Sequence, residues 1–223
     1  LIQRRGGIHP RVILVNGAKG GATADIWADP TSLIWEHVQG RLDEAGVSPA
    51  QVQVAWLKHT QHHPVEIFPE DAVALTEELV QSVQLLKQQF SNLKLVYLSS
   101  RIYAGYATGS LNPEPFAYDF GFAVKWLIEE QLRGDLTLNY DPARGPVRSP
   151  WLSWGPYLWA DGLRERRDGV SWRCDDFQKD GTHPSHVGTV KVAQLLWRFF
   201  TTDPTTKEWF IGQADVVFVP SGP

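Results

Sequence analysis

Short apolar runs of strand character alternate along this chain with helix-length apolar stripes, and that alternation restricts the fold more than any other feature. Val12-Ile-Leu-Val15 is a β-branched run closing on Asn16-Gly17, which reads as a buried strand followed by a tight loop. Residues 31–45 read as a helix, and Val52-Gln-Val-Ala-Trp-Leu57 as the next strand. A helix is expected from Pro69, where proline suits the first turn and Glu70 and Asp71 suit the helix dipole. Its apolar positions Ala72, Leu75, Leu79, Val83, Leu86 and Phe90 fall three or four apart, as one buried stripe requires. Residues 93–98 predict a third strand, ending at Ser99-Ser100-Arg101.

A further helix is expected over residues 115–132, with Phe116, Phe120, Ala123 and Leu127 on one side. Asp119-Phe-Gly121 imitates a kinase motif but lies inside this helix, without the lysine strand or catalytic loop a kinase needs. Residues 133–179 lose periodicity amid proline, glycine, arginine and tryptophan, and read as an irregular wall. The last helix is expected over residues 185–200, with Ser185 as its N-cap. Strand–helix repeats of this kind predict an α/β fold, a three-layer α/β/α sandwich around a parallel sheet, in one domain spanning residues 1–223.

Composition excludes several partners and sites. The net charge of −4, without a basic stripe, speaks against nucleic acid, and no window is apolar enough to span a membrane. A lone cysteine, Cys174, allows neither an internal disulfide nor a multi-cysteine metal site. Of the ten tryptophans, Trp151, Trp154 and Trp159 crowd one segment, which suits a wall for sugars or a core beneath a long loop equally.

In open parallel sheets, ligands bind beyond the carboxyl ends of the strands. Residues 16–23, 58–63 and 99–106 should therefore border the site, joined by the loop before the last helix. That loop carries Asp180-Gly-Thr-His183-Pro-Ser185. A carboxylate three positions before an imidazole can take the Nδ1 proton and leave Nε2 to accept one from a hydroxyl. Pro184 keeps His183 out of the helical region. The bare spacing by itself favours a helix cap; the surrounding blocks turn the reading to the acid–base pair.

Asp180-Gly-Thr-His-Pro-Ser185 before a C-terminal amphipathic helix resembles the last block of the SGNH hydrolases, the GDSL esterase and lipase superfamily. Asn16-Gly-Ala-Lys-Gly-Gly-Ala-Thr23 resembles that family's second block, which implies Gly21 as an oxyanion-hole N–H donor. The same turn fails the phosphate-loop pattern. Trp56-Leu-Lys-His-Thr-Gln61 stands where the family places an asparagine or a Gln-Gly-Glu stretch and matches neither, so Lys58, His59 and Gln61 all remain candidates for the second donor. Tyr97-Leu-Ser-Ser-Arg-Ile-Tyr-Ala-Gly-Tyr106, Leu111-Asn-Pro-Glu-Pro115 and Gly155-Pro-Tyr-Leu-Trp-Ala-Asp-Gly162 are similar to strings of a bacterial SGNH-like group related to acetyl esterases, and the likeness runs from about Arg11 to Gly212.

The resemblance implies a Ser-His-Asp carboxylic-ester hydrolase, acting on a small-molecule or carbohydrate ester in a secreted or periplasmic setting. It calls for no cofactor and leaves the oligomeric state open. In the family the serine ends a first strand ahead of the glycine block, and the residues before Val12 contain none. A longer native chain is one explanation. Another has Asp215-Val-Val-Phe-Val219-Pro-Ser221 filling the vacant strand, with Ser221 as nucleophile. Ser99 and Ser100 are further candidates; Ser100 and Arg101 are expected to position substrate or pack on the wall. A binding module without the nucleophile is the competing function. A metal hydrolase built on His59, His62 and His63 is a third.

Overall fold

The computed structural model describes residues 7–212, apart from His63 and Glu66. It is a mixed α/β structure around a three-stranded parallel sheet. The order along the chain is α1 (Ala24–Ala28), α2 (Ile34–Glu44), β1 (Val54–Leu57), α3 (Glu70–Gln89), β2 (Leu95–Leu98), α4 (Phe116–Arg133), β3 (Trp151–Trp154), α5 (His186–Thr202) and α6 (Lys207–Phe210). The strands lie side by side in chain order, with Val54 opposite Leu95 and Leu95 opposite Trp151.

The expected stripe on α3 is the buried one: Ala72, Leu75, Leu79, Val83 and Leu86 pack with Phe120, Ala123 and Leu127 of α4, against Val96, Leu98 and Leu152 of the sheet. Alternation along β2 sends Tyr97 the other way. Its ring meets Phe199 and Phe200 of α5 at 5.1 and 5.9 Å, and its hydroxyl donates to the Thr205 carbonyl at 3.1 Å. Ser185 caps α5 as expected, its Oγ accepting the Gly188 N–H at 3.3 Å.

Two expectations need correcting. Residues 12–15 form no strand: Ile13 is exposed, and Val15 only leans on the main core. A β-branched run becomes a strand only beside a backbone that takes its hydrogen bonds, and β1 pairs with β2 alone among the described residues. Conversely, the segment 133–179 read as irregular contains β3. Its four residues, Trp-Leu-Ser-Trp behind a proline, are too few to show a period. The rest of that segment builds a second small core around Trp172, with Leu158, Ala160 and Phe177. The tail strand expected at residues 215–219, and Ser221, lie outside the described residues.

The outer side of β3 is closed by one side chain of α4. Gln131, buried at 3% exposure, accepts the Leu152 N–H at 2.8 Å on Oε1. Its Nε2 donates to the carbonyls of Pro150 at 2.9 Å and Leu138 at 3.0 Å. The amide thus does for β3 what another strand would do, and stops the sheet there. Gln131→Leu keeps the volume and orphans two backbone groups, the Leu152 N–H and the Leu138 carbonyl, while the Pro150 carbonyl keeps the Ser149 hydroxyl at 2.8 Å. With each buried unpaired group costing about 1–3 kcal/mol, the variant should lose at least about 2 kcal/mol of stability in urea unfolding.

Candidate functional site

Every strand of a parallel sheet hands its crossover out at the same end. Here residues 58–69, 99–115 and 155–185 all leave the carboxyl edge, and the expected site residues sit on them. The glycine-rich loop of residues 16–23 joins this edge through the Ala24 N–H, which donates to the Thr60 carbonyl at 2.8 Å.

Asp180 and His183 occupy one closed turn. The Gln178 N–H donates to the His183 carbonyl at 2.8 Å, and the Gly181 N–H to the Gln178 carbonyl at 2.9 Å. Within it, Asp180 Oδ2 lies 2.6 Å from His183 Nδ1. Asp180 Oδ1 accepts the backbone N–H groups of Thr182 at 2.9 Å and His183 at 3.0 Å. The hydrogen bond from His183, then those from the two amides, hold the Asp180 carboxyl down at about 2. It is an anion at any ordinary pH, which fixes the proton on Nδ1 when the ring is neutral and presents Nε2 as the basic atom. The imidazole is 57% exposed, and Nε2 makes no hydrogen bond among the described residues.

The turn is anchored from two sides. The Thr108 N–H donates to the Asp180 carbonyl at 3.0 Å. Gly181, at φ +65°, lies so close to the Tyr106 carbonyl that an added Cβ would sit 1.8 Å from its oxygen. On the α5 side, Ser185 Oγ donates to the Asp175 carbonyl at 2.7 Å, and the Ser185 N–H to that of Asp176 at 2.8 Å. Asp176 is itself buried and paired with Lys191, whose ammonium lies 5.0 Å from the Trp172 ring centre.

The remaining sequence candidates divide by what their polar atoms already do. Ser99 Oγ donates to the Pro156 carbonyl at 2.7 Å and accepts Trp56 Nε1 at 2.8 Å; Ser100 Oγ accepts the Leu158 N–H at 3.1 Å. Both serines are buried and tie β2 to the wall. Arg101 is buried too, and its guanidinium donates to the Asn112 carbonyl at 2.9 Å; burial lowers its pKa to about 10 against the pull of Glu114 and Asp180. Gln61 offers its carbonyl to Asn112 Nδ2 at 3.0 Å.

Lys58 is exposed along its side chain; desolvation of its ammonium, then the charge of Arg101, lower its pKa to about 8. His59 stacks on Trp27 at 5.1 Å with Nδ1 buried and unpartnered; desolvation, then the neighbouring Lys58, drop it to about 3, so it is neutral. His63 is outside the described residues, and among those described no three His, Cys, Asp or Glu side chains converge as a metal would require. Gly21 is exposed at φ +77°, with open space where a Cβ would go. No hydrogen bond among the described residues joins it to Asp180 or His183.

Sequence reasoning missed three acidic side chains at this edge. Glu114 accepts the Ala104 N–H and Trp159 Nε1, each at 2.9 Å, and the Tyr118 N–H at 3.0 Å, so one carboxylate joins the loop, the wall and α4. Asp71 and Asp119 lie in the first turns of α3 and α4, both buried, and neither Asp71 oxygen has a hydrogen-bond partner among the described residues. Their acidic type at a helix start was legible; their burial was not. No protein-family model, curated protein or solved structure matches this chain.

Two outcomes follow from this geometry. Gly181→Ala must move the turn off Tyr106, separating Asp180 from His183; the NMR signature of the Nδ1–H···O hydrogen bond should disappear. Desolvation, then the charges of Asp71 and Glu114, raise Asp119 from 3.8 to about 6. A raised acid holds its proton better in the folded chain, so its contribution to stability falls as pH climbs through that window. Asp119→Asn should therefore raise the melting temperature by several degrees at pH 7, with the gain vanishing below about pH 4.

Proposed function

We propose that this chain is an SGNH-type carboxylic-ester hydrolase on a three-layer α/β/α frame, with His183 as general base and Asp180 as the group that orients it. The 2.6 Å contact between Asp180 Oδ2 and His183 Nδ1, on a turn pinned by backbone hydrogen bonds at the carboxyl edge of a parallel sheet, carries the reading. Such a pair does one thing well: it withdraws a proton from a hydroxyl and then stabilises the imidazolium that results.

In the proposed reaction a serine hydroxyl loses its proton to His183 Nε2 as its oxygen attacks the acyl carbon. The tetrahedral oxyanion would be met by the Gly21 N–H and by a second donor near the end of β1, a role in which Lys58 would add positive charge. Collapse expels the alcohol, which takes the proton back from His183. Water then repeats the sequence and releases the acid. A carbohydrate ester is the proposed substrate class, in keeping with the aromatic residues around Trp159.

A second reading is favoured by specific observations. Ser99 and Ser100 are engaged elsewhere, and the His183 ring faces solvent with no described hydroxyl on Nε2. An inactive carbohydrate-binding module on the same frame would have these features. Fluorophosphonate labelling separates the two. On the hydrolase reading a serine is labelled and p-nitrophenyl acetate is turned over, with both reduced roughly a hundred- to ten-thousandfold in His183→Ala. An unlabelled chain, or a His183→Ala variant of unchanged rate, removes the hydrolase.

A further inference from the structure

The segment that carries Asp180 and His183 is a hairpin with two feet, and one cation holds both. At its base Phe177 bridges Pro184 in antiparallel register. The Gln178 N–H donates to the His183 carbonyl at 2.8 Å, and Gln178 Nε2 to the Pro184 carbonyl at 3.2 Å. The first foot is the turn Cys174–Asp176; the second is Ser185 with the first turn of α5. They meet at the Asp176 carbonyl, which accepts the Ser185 N–H at 2.8 Å. The joint is close, since a Cβ on Gly188 would stand 2.1 Å from that same carbonyl oxygen.

The side chain that keeps Asp176 in place also comes from α5. The Asp176 carboxylate is buried, accepts the Arg173 N–H at 2.7 Å and is ion-paired with Lys191, about one turn beyond Gly188. Lys191 donates as well to the Ser171 carbonyl at 3.0 Å, and its ammonium lies 5.0 Å from the centre of the Trp172 ring. Trp172 is fully buried, and its ring centre lies 5.6 Å from that of Phe177 at the hairpin base. One ammonium therefore ties residues 171, 172 and 176 to the helix that opens just after His183. A buried carboxylate that loses its cation is strongly disfavoured, so breaking the pair releases the first foot.

The proposed reaction makes no use of Lys191. We infer that Lys191 is a positioning residue: acting through Asp176, it fixes where the His183 ring stands at the carboxyl edge of the sheet. The Asp180–His183 contact is made inside the hairpin and travels with it. The tip leans on the second crossover, at Thr108 and Tyr106, whereas the base depends on the ion pair. The part in catalysis rests on the hydrolase reading; the clamp itself does not.

Hydrogen exchange on the whole chain reads the clamp without turnover. In Lys191→Met the amides of Gln178, Gly181 and Ser185 should exchange roughly ten- to a hundredfold faster, while those of Leu79 and Val96 in the main core keep their rates. Lys191→Arg, which keeps a cation for Asp176, should restore most of the protection. With p-nitrophenyl acetate, kcat should fall roughly ten- to a hundredfold in Lys191→Met with KM changed by less than about twofold, and Lys191→Arg should recover it. Should Lys191→Met fail to fold, Asp176→Asn carries the same expectation, because it keeps an acceptor for the Arg173 N–H and frees Lys191 to reach solvent. Hairpin amides that exchange no faster, or core amides that speed up equally, overturn the clamp. Loosened hairpin amides with kcat unchanged overturn the positioning role. A chain that turns over no ester in any form sinks the hydrolase reading and leaves exchange to decide the clamp by itself.

Discussion

Backbone hydrogen bonding in a short parallel sheet governs this molecule. Strands of four residues bring few ladder bonds each, so the edges weigh heavily. At β3 the chain solves the problem with Gln131, a side-chain amide that imitates a neighbouring strand. The parallel arrangement also sends three long crossovers out at one end. Loops of that length carry backbone groups that no ladder satisfies. The structure meets them with side chains: Glu114 and Arg101 for the second crossover, and Arg166 for the third, its guanidinium donating to the Tyr157 carbonyl at 2.9 Å. The polar residues crowded at the carboxyl edge are, in large part, the means by which irregular chain is held still.

That economy explains why chemically capable residues there are not equivalent. Ser99, Ser100 and Arg101 look like site residues from sequence, yet each already closes a loop: Ser99 Oγ donates to the Pro156 carbonyl, Ser100 Oγ accepts the Leu158 N–H, and the Arg101 guanidinium donates to the Asn112 carbonyl. Asp180 and His183 differ because their turn is complete without the ring. Backbone amides, the Asp180 carboxylate and neighbouring hydroxyl and amide side chains shape it, and Nε2 of His183 takes part in none of these bonds among the described residues. A group whose structural duties are met by other atoms is the one available for proton transfer.

Helical periodicity was the legible part of the fold. The α3 stripe, the buried side of α4 and the Ser185 cap can each be read from residue type and spacing, because each rests on contacts within about one helical turn. β3 could not be read that way: Trp151–Trp154 is a strand because Lys94 and β2 lie beside it, with the Trp151 N–H donating to the Lys94 carbonyl at 2.9 Å. Residues 12–15 fail for the same reason in reverse, having strand composition and no ladder. In the site, the Asp180–His183 contact was legible as a local spacing. The roles of Glu114 and Gln131 were not, since both depend on where distant backbone comes to rest.

The two features on which the hydrolase reading turns, the Asp180–His183 pair and the glycine loop of Gly21, are held by different parts of the molecule. Gly21 sits on the loop that continues residues 12–15, which form no strand. That loop is tied to α2, where Arg41 Nε donates to the Asn16 carbonyl at 3.1 Å, and to the carboxyl edge, where the Ala24 N–H donates to the Thr60 carbonyl at 2.8 Å. The Asp180–His183 turn takes its bonds from elsewhere: the Thr108 N–H donates to the Asp180 carbonyl and the Gln178 N–H to the His183 carbonyl. Its geometry is therefore set by the second crossover and by the start of α5, so the acid–base pair keeps its shape independently of the glycine loop.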